Sequence, residues 1–130
     1  MPTKILHGTV ESGAGNAENW PIVQIRETTG YPNLEDGTLN LRLDVPHVLR
    51  RDYELLRTDR KDGGSEDLRY ERCCLILRDA RLAALIARTS TNYWTNNVLE
   101  IMAEEHLRNT YGLKDGDPVA VEVCVEDGTP

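Results

Sequence analysis

The sequence predicts a mainly β fold, a small closed barrel with one or two short helices. Three observations carry this. Leu39, Leu41 and Leu43 alternate with Asn40 and Arg42, and residues two apart on a strand share a face. Val119, Val121, Val123 and Val125 alternate in the same way with Ala120, Glu122, Cys124 and Glu126. Between these two runs lie further short alternating stretches, about six strands in all, bounded by Gly, Pro, Asn and Asp turns. Closing such a set into a barrel removes its exposed edges. No repeat or linker divides the 130 residues, so one domain, 1–130, is expected.

Composition narrows the function classes. Hydrophobic content is 39% with no Phe, so the core must rest on Leu, Val, Ile and Ala. Net charge is -7 and the sequence pI is about 4.9. An acidic chain lacks the positive field that nucleic acid requires, and no helix-turn-helix segment is attached. A small nucleotide in a local pocket remains compatible. Cys73, Cys74 and Cys124 are odd in number and two are adjacent. They make neither a disulfide framework nor the paired spacing of a zinc site, and read as small buried residues in a reducing cytosol. No run approaches the ~18 apolar residues of a membrane span, and no signal-peptide apolar region follows Lys4. The expectation is a cytoplasmic protein with neither membrane nor nucleic-acid partners.

Taken in order, residues 4–11 form a first strand, with Leu6, Gly8 and Val10 on one face. Residues 12–17, Ser-Gly-Ala-Gly-Asn-Ala, follow directly, and such a loop can wrap a phosphate with backbone N–H groups. It lacks the P-loop spacing and the Rossmann fingerprint. Residues 18–29 read as a short helix with Pro21 in its first turn, broken by Gly30. After a turn at residues 34–37 comes the leucine strand. Thr38 and Asn40 share its non-leucine face, beside Gly37. Two neutral oxygens there suit a hard cation such as Mg²⁺ when the ligand brings the negative charge; the alternative is an ordinary strand with a surface Thr and Asn.

Residues 47–52 read as a basic, irregular step and 53–58 as a short strand. Residues 59–67 hold no apolar residue and read as a solvated loop. Residues 68–77 read as a strand. Residues 82–88 are ambiguous, since Ala and Leu favour helix while the length fits a buried strand. Residues 89–97 form a polar loop carrying Tyr93 and Trp94, by composition the most binding-like. A short strand at 98–102 contains Glu100. Residues 104–111 fit a helix with Glu104 and Glu105 at its N-terminus, where the macrodipole favours acids. Gly112 stops it, and residues 114–117 make a tight turn before the valine strand.

In this order, residues 8–15 (Gly-Thr-Val-Glu-Ser-Gly-Ala-Gly), 37–41 (Gly-Thr-Leu-Asn-Leu), 99–103 (Leu-Glu-Ile-Met-Ala), 106–108 (His-Leu-Arg) and 113–119 (Leu-Lys-Asp-Gly-Asp-Pro-Val) resemble the CTP-dependent riboflavin kinases of archaeal type. The resemblance spans nearly the whole chain, and Gly-Thr-Leu-Asn-Leu is its most specific piece. It implies a six-stranded cradle-loop β-barrel that transfers the terminal phosphate of CTP to the riboflavin 5′-hydroxyl, giving FMN and CDP. Position by position, it implies Thr38 and Asn40 as Mg²⁺ ligands. It implies Gly13, Ala14, Gly15, Asn16, Ala17 and Glu18 as the nucleotide loop, and Glu105, His106, Leu107 and Arg108 as a second nucleotide-contacting segment. Glu100 and Thr91 become flavin contacts, Thr91 being chosen over Thr89 because the loop is one residue longer here. It also assigns residues 82–88 to a strand.

The residues themselves leave two roles open. Glu100 is either the general base for the hydroxyl proton or a strand acid facing solvent. Arg108 pairs either with a phosphate or with Glu104 at i−4, the commoner case on a helix. The chain departs from the family pattern at Ala17, where the family has glycine, and at Glu18, which puts negative charge where phosphates lie. Glu104 stands where the family has proline, and His106 replaces a lysine-like residue. Beside the kinase reading stand a non-catalytic flavin- or nucleotide-binding relative and a kinase of another small hydroxylated substrate. Expected partners are riboflavin, FMN, CTP and CDP, with the chain a monomer or weak oligomer.

Overall fold

The computed structural model describes residues 2–12, 21–35, 38–50, 52–59, 65–78, 80–89 and 97–124. In chain order the elements are β1 (Thr3–Glu11), α1 (Ile22–Thr29), β2 (Leu39–Leu43), β3 (Tyr53–Asp59), β4 (Ser65–Leu77), β5 (Ala80–Thr89), β6 (Val98–Ala103), α2 (Leu107–Tyr111) and β7 (Pro118–Cys124). Every strand pairing is antiparallel. The sheet runs β3-β4-β5-β6-β2-β1-β7, and a further β4–β7 pairing closes it. The result is a closed six-stranded barrel with β3 as an added ribbon.

β4 makes this possible by its length of 13 residues. One of its edges serves two partners in succession: Ser65 to Tyr70 pair with β3, and Cys73 to Ile76 pair with β7. Asp52 covers the change-over. Its N–H donates to the Tyr70 carbonyl at 2.9 Å, and its Oδ2 accepts the Arg72 N–H at 2.8 Å. The Arg50 guanidinium forks onto the same carboxylate at 3.0 and 3.1 Å. Burial alone raises the Asp52 pKa, but the Arg50 bonds and the Arg72 N–H outweigh it, so the carboxyl sits below its usual range. Asp52 therefore contributes stability at neutral pH that is lost as pH falls through its lowered folded value.

The alternation read in the sequence sorts residues onto two cores. Leu6 and Val10 of β1, with Leu39, Leu41 and Leu43 of β2, point into the barrel with Leu75, Ile86, Leu99, Ile101 and Val121. The opposite face of β4, β5 and β6 carries Tyr70, Leu85, Ala87 and Met102, covered by Ile25 of α1 and by Leu34. Residues 82–88 thus lie within a strand that is buried on both faces from Ala84 to Ala87, which is why their composition does not distinguish strand from helix. Cys73 is part of the interior, and burial pushes its thiol well above the ordinary range, so it stays neutral. Cys74 and Cys124 are likewise free.

Three expectations change. α1 begins at Ile22, with Pro21 at its cap position, and residues 13–20 lie outside the described residues. α2 is five residues long and has no acid in its first turn. Glu104 and Glu105 precede it and serve tertiary contacts instead: Glu104 Oε2 accepts the Asn33 N–H at 2.9 Å, and Glu105 accepts the Tyr111 hydroxyl. Arg108 does not pair with Glu104. In the irregular step after β2, His47 is buried and its Nε2 meets Glu71 Oε1 at 2.7 Å. Among the described residues, no helix is long and apolar enough to cross a membrane.

Gly8 shows how tightly the wall is built. It pairs with Leu43 on one side and Val119 on the other. A Cβ added there would lie 3.0 Å from the Arg42 carbonyl oxygen and 3.2 Å from Leu43 Cδ2. Gly8→Ala is expected to cost about 1–3 kcal/mol by overpacking, read as a lower urea midpoint with an unchanged slope.

Candidate functional site

Asn40 lies on β2, one residue out of phase with the inward leucines, so its side chain is on the outer face of the barrel wall. It is nevertheless only 2% exposed. Thr38 Oγ1, two residues earlier on the same face, donates to Asn40 Oδ1 at 3.1 Å. Among the described residues, Asn40 Nδ2 is buried with no hydrogen-bond partner. Two neutral oxygens at that separation match adjacent corners of an octahedral Mg²⁺ shell, which lie about 3 Å apart for bonds of about 2.0–2.1 Å. The described residues contain no group of three His, Cys, Asp or Glu able to hold a metal. A cation here would depend on this pair and on the charge of its ligand.

The ladder sets a row of side chains across four strands. Asn40 stands opposite Glu11 of β1 and opposite Glu100 of β6, and Glu100 stands opposite Ala87 of β5. Residues directly opposite share a face and are side-chain neighbours. Glu100 is 8% exposed, so it is not a strand acid facing solvent. Glu11 is neutralised locally, its two oxygens taking the Arg42 fork at 2.9 and 3.2 Å. Arg88 is half-buried; burial lowers its pKa and the charge of Glu100 opposes that. Glu100 thus sits in a crowded wall beside Asn40 with a cation in its field.

The second segment gathers at the end of the barrel where β1 finishes and β2 starts. Leu107 turns inward and is 6% exposed, part of the interior core, so its side chain is packing and only its backbone faces outward. His106 is exposed at the α2 cap position. Glu105 is held by the Tyr111 hydroxyl, whose own pKa that bond raises. Arg108 Nη2 donates to the Glu11 carbonyl at 3.2 Å and to Asp115 Oδ1 at 2.7 Å. The Ser12 hydroxyl donates to the other Asp115 oxygen at 2.7 Å.

The structure therefore brings Thr38, Asn40 and Glu100 into one patch, and ties Arg108 to the end of β1 that leads into residues 13–18. Gly13, Ala14, Gly15, Asn16, Ala17, Glu18 and Thr91 lie outside the described residues, as does Gly37. Sequence reasoning missed Glu11, Arg88 and Asp115 as neighbours of the site. Asp115 had been read only as part of a common turn, and nothing local to residues 114–117 signals a bond to a serine 103 positions away.

The family model CTP-dep_RFKase, described as a domain of unknown function (DUF120), matches residues 10–123. A curated riboflavin kinase of Methanospirillum hungatei is 28% identical over 136 residues, covering 93% of this chain and 58% of that protein. One of Pyrobaculum islandicum is 33% identical over 134 residues, covering 93% of this chain and 61% of that protein. One of Methanothermobacter thermautotrophicus is 29% identical over 100 residues, covering 77% of this chain and 79% of that protein. The chain thus spans about three fifths of the length of the first two relatives. The matched span, residues 10–123, runs from the end of β1 to the last strand, and the chain belongs to the CTP-dependent riboflavin kinase family.

Proposed function

We propose that the chain is a phosphotransferase that moves the terminal phosphoryl group of CTP to the 5′-hydroxyl of riboflavin, giving FMN and CDP. The observation that carries this reading is Asn40, hydrogen-bonded to Thr38, lying directly across the β2–β6 ladder from Glu100. Phosphoryl transfer asks a protein for positioning and charge compensation more than for covalent chemistry, and the two neutral oxygens of the patch are suited to hold a cation that would supply the second.

In this reading Thr38 Oγ1 and Asn40 Oδ1 would hold Mg²⁺. Bound there, the ion would supply positive charge to compensate the phosphates of the donor. Glu100 takes the proton of the riboflavin 5′-hydroxyl. The 5′-oxygen forms the new P–O bond, the bond from phosphorus to the β–γ bridging oxygen breaks, and its electron pair leaves with CDP. The donor nucleotide is held by residues 13–18 and by the Glu105, His106, Leu107 and Arg108 segment, with the Leu107 contribution limited to backbone.

The test is FMN formation from riboflavin, CTP and Mg²⁺ by the purified chain, with the flavins separated chromatographically. Glu100→Gln is expected to lower kcat by about 10²–10⁴-fold, the range for losing a general base, while riboflavin binding by fluorescence quenching persists. An unchanged kcat would remove Glu100 from the role of base. Ala17 and Glu18 favour a second reading, a relative that binds flavin or nucleotide without turnover. Its signature is saturable ligand binding with no FMN from any donor.

A further inference from the structure

The turn between α2 and β7 is pinned to β1 by its backbone. The Gly116 N–H donates to the Val10 carbonyl at 2.7 Å, and the Val10 N–H donates to the Asp117 carbonyl at 2.9 Å. That places the Asp115 side chain over the last residues of β1. One carboxylate oxygen takes the Ser12 hydroxyl at 2.7 Å and the other takes Arg108 Nη2 at 2.7 Å, while the same Nη2 reaches the Glu11 carbonyl at 3.2 Å. Three separate pieces of chain, the end of β1, the body of α2 and the following turn, converge on one carboxylate. The Ser12 bond first and Arg108 second hold Asp115 below the usual carboxylate range, so it is ionised at neutral pH.

This cluster is solvent-exposed, and exposed ion pairs contribute little to stability. Its geometric effect is larger. Without Asp115, the Arg108 guanidinium would keep a single carbonyl bond and the Ser12 hydroxyl would lose its acceptor. Arginine's planar fork acts through orientation, and an arginine held by two acceptors is pre-organised where a free one is not.

We propose that Asp115 is a positioning residue for the donor nucleotide, clamping the end of β1 to α2 and fixing the direction of Arg108. This rests on the nucleotide-binding reading of those two segments given above.

The experiment is calorimetric titration of the full chain with CDP, alongside steady-state FMN formation, for wild type, Asp115→Ala, Asp115→Asn and Ser12→Ala. In Asp115→Ala, the Kd for CDP and the KM for CTP are expected to rise about tenfold, the scale of one charge-assisted contact. The KM for riboflavin, kcat at saturating CTP and Tm are expected to stay within twofold or 1–2 °C of wild type, roughly the scatter of a surface change. Asp115→Asn, which keeps one acceptor oxygen, recovers part of the loss. Ser12→Ala combined with Asp115→Ala costs no more than Asp115→Ala alone, as expected for two members of one network. Equal or tighter CDP binding in Asp115→Ala overturns the proposal. So does a loss in which kcat and Tm fall while both KM values rise together, which marks a merely structural role. If the wild-type chain binds no CDP, the nucleotide reading fails as well; if wild type binds and the variant binds equally, the positioning role alone fails.

Discussion

Asn40→Ala is expected to reduce FMN formation by about 100-fold or more, the consequence of losing several kcal/mol of charge compensation on the transferred phosphate. The fold should hardly register the change. Among the described residues Asn40 Nδ2 has no partner to lose, and the only side-chain bond that breaks is the one from Thr38 Oγ1. Removing a buried polar group that is itself half-satisfied is close to neutral for stability. The leucines on either side keep the strand in register through the interior core. The check is kcat/KM for FMN formation beside Tm and far-ultraviolet circular dichroism. A large loss of activity with an unmoved Tm is the expected pattern; full activity in Asn40→Ala would take the pair out of the chemistry. Raising Mg²⁺ should recover part of the activity of Thr38→Ala, which still keeps one ligand oxygen.

The largest stability effect is expected at His47 and Glu71. Glu71 points into the barrel from β4, opposite Ile86 of β5 and two residues from Cys73, where water cannot reach it. His47, on the segment that crosses this end of the barrel, closes over it, with the ring Nε2 and Glu71 Oε1 at 2.7 Å. The same oxygen accepts the Arg50 N–H at 3.1 Å. The segment 44–50 is therefore fastened to the barrel through one buried carboxylate. His47→Ala removes the ring and leaves that carboxylate buried with the Arg50 N–H as its remaining donor among the described residues. Breaking a buried pair from one side costs about 3–5 kcal/mol, read as a drop in Tm on the order of 10 °C for a chain of this size. The double variant His47→Leu with Glu71→Leu should recover most of it, because replacing both partners by apolar groups avoids a stranded charge. A Tm shift under about 2 °C for His47→Ala would show that the pair does not hold the strap.

Much of the fold was legible because it depends on local alternation. Leu39, Leu41 and Leu43 announce a strand whose other face is free for Thr38 and Asn40, and the structure keeps that division. Gly30 and Gly112, with φ of 76° and 64°, end the two helices as glycines that tolerate a left-handed backbone do. Local pattern was silent where both faces of a strand are covered, as at Ala84, Leu85, Ile86 and Ala87 in β5, and there the family resemblance supplied the strand. It misled at Glu104 and Glu105, whose placement before a helix suggested dipole stabilisation when their carboxylates are in fact used by Asn33 and Tyr111.

The site was legible to the extent that it lies within one strand. Thr38 and Asn40 share a face by period alone. Their meeting with Glu100 depends on the β2–β6 register, which no local pattern encodes, and the residues alone left Glu100 open between base and surface acid. His47 and Glu71 are 24 residues apart and Ser12 and Asp115 103 apart. Each pair consists of ordinary polar residues whose significance arises only when distant pieces of chain meet, the segment after β2 with β4 at one end of the barrel and the α2–β7 turn with the end of β1 at the other.

The most direct measurement supplies the purified chain with riboflavin and Mg²⁺, adds CTP, ATP, GTP or UTP in parallel, and separates the flavins. The expected result is FMN with CTP, lost when Mg²⁺ is chelated and restored when it is returned. FMN formed from another triphosphate alone would contradict the donor and redirect attention to residues 13–18 and to Arg108. No FMN from any donor would contradict the kinase account itself.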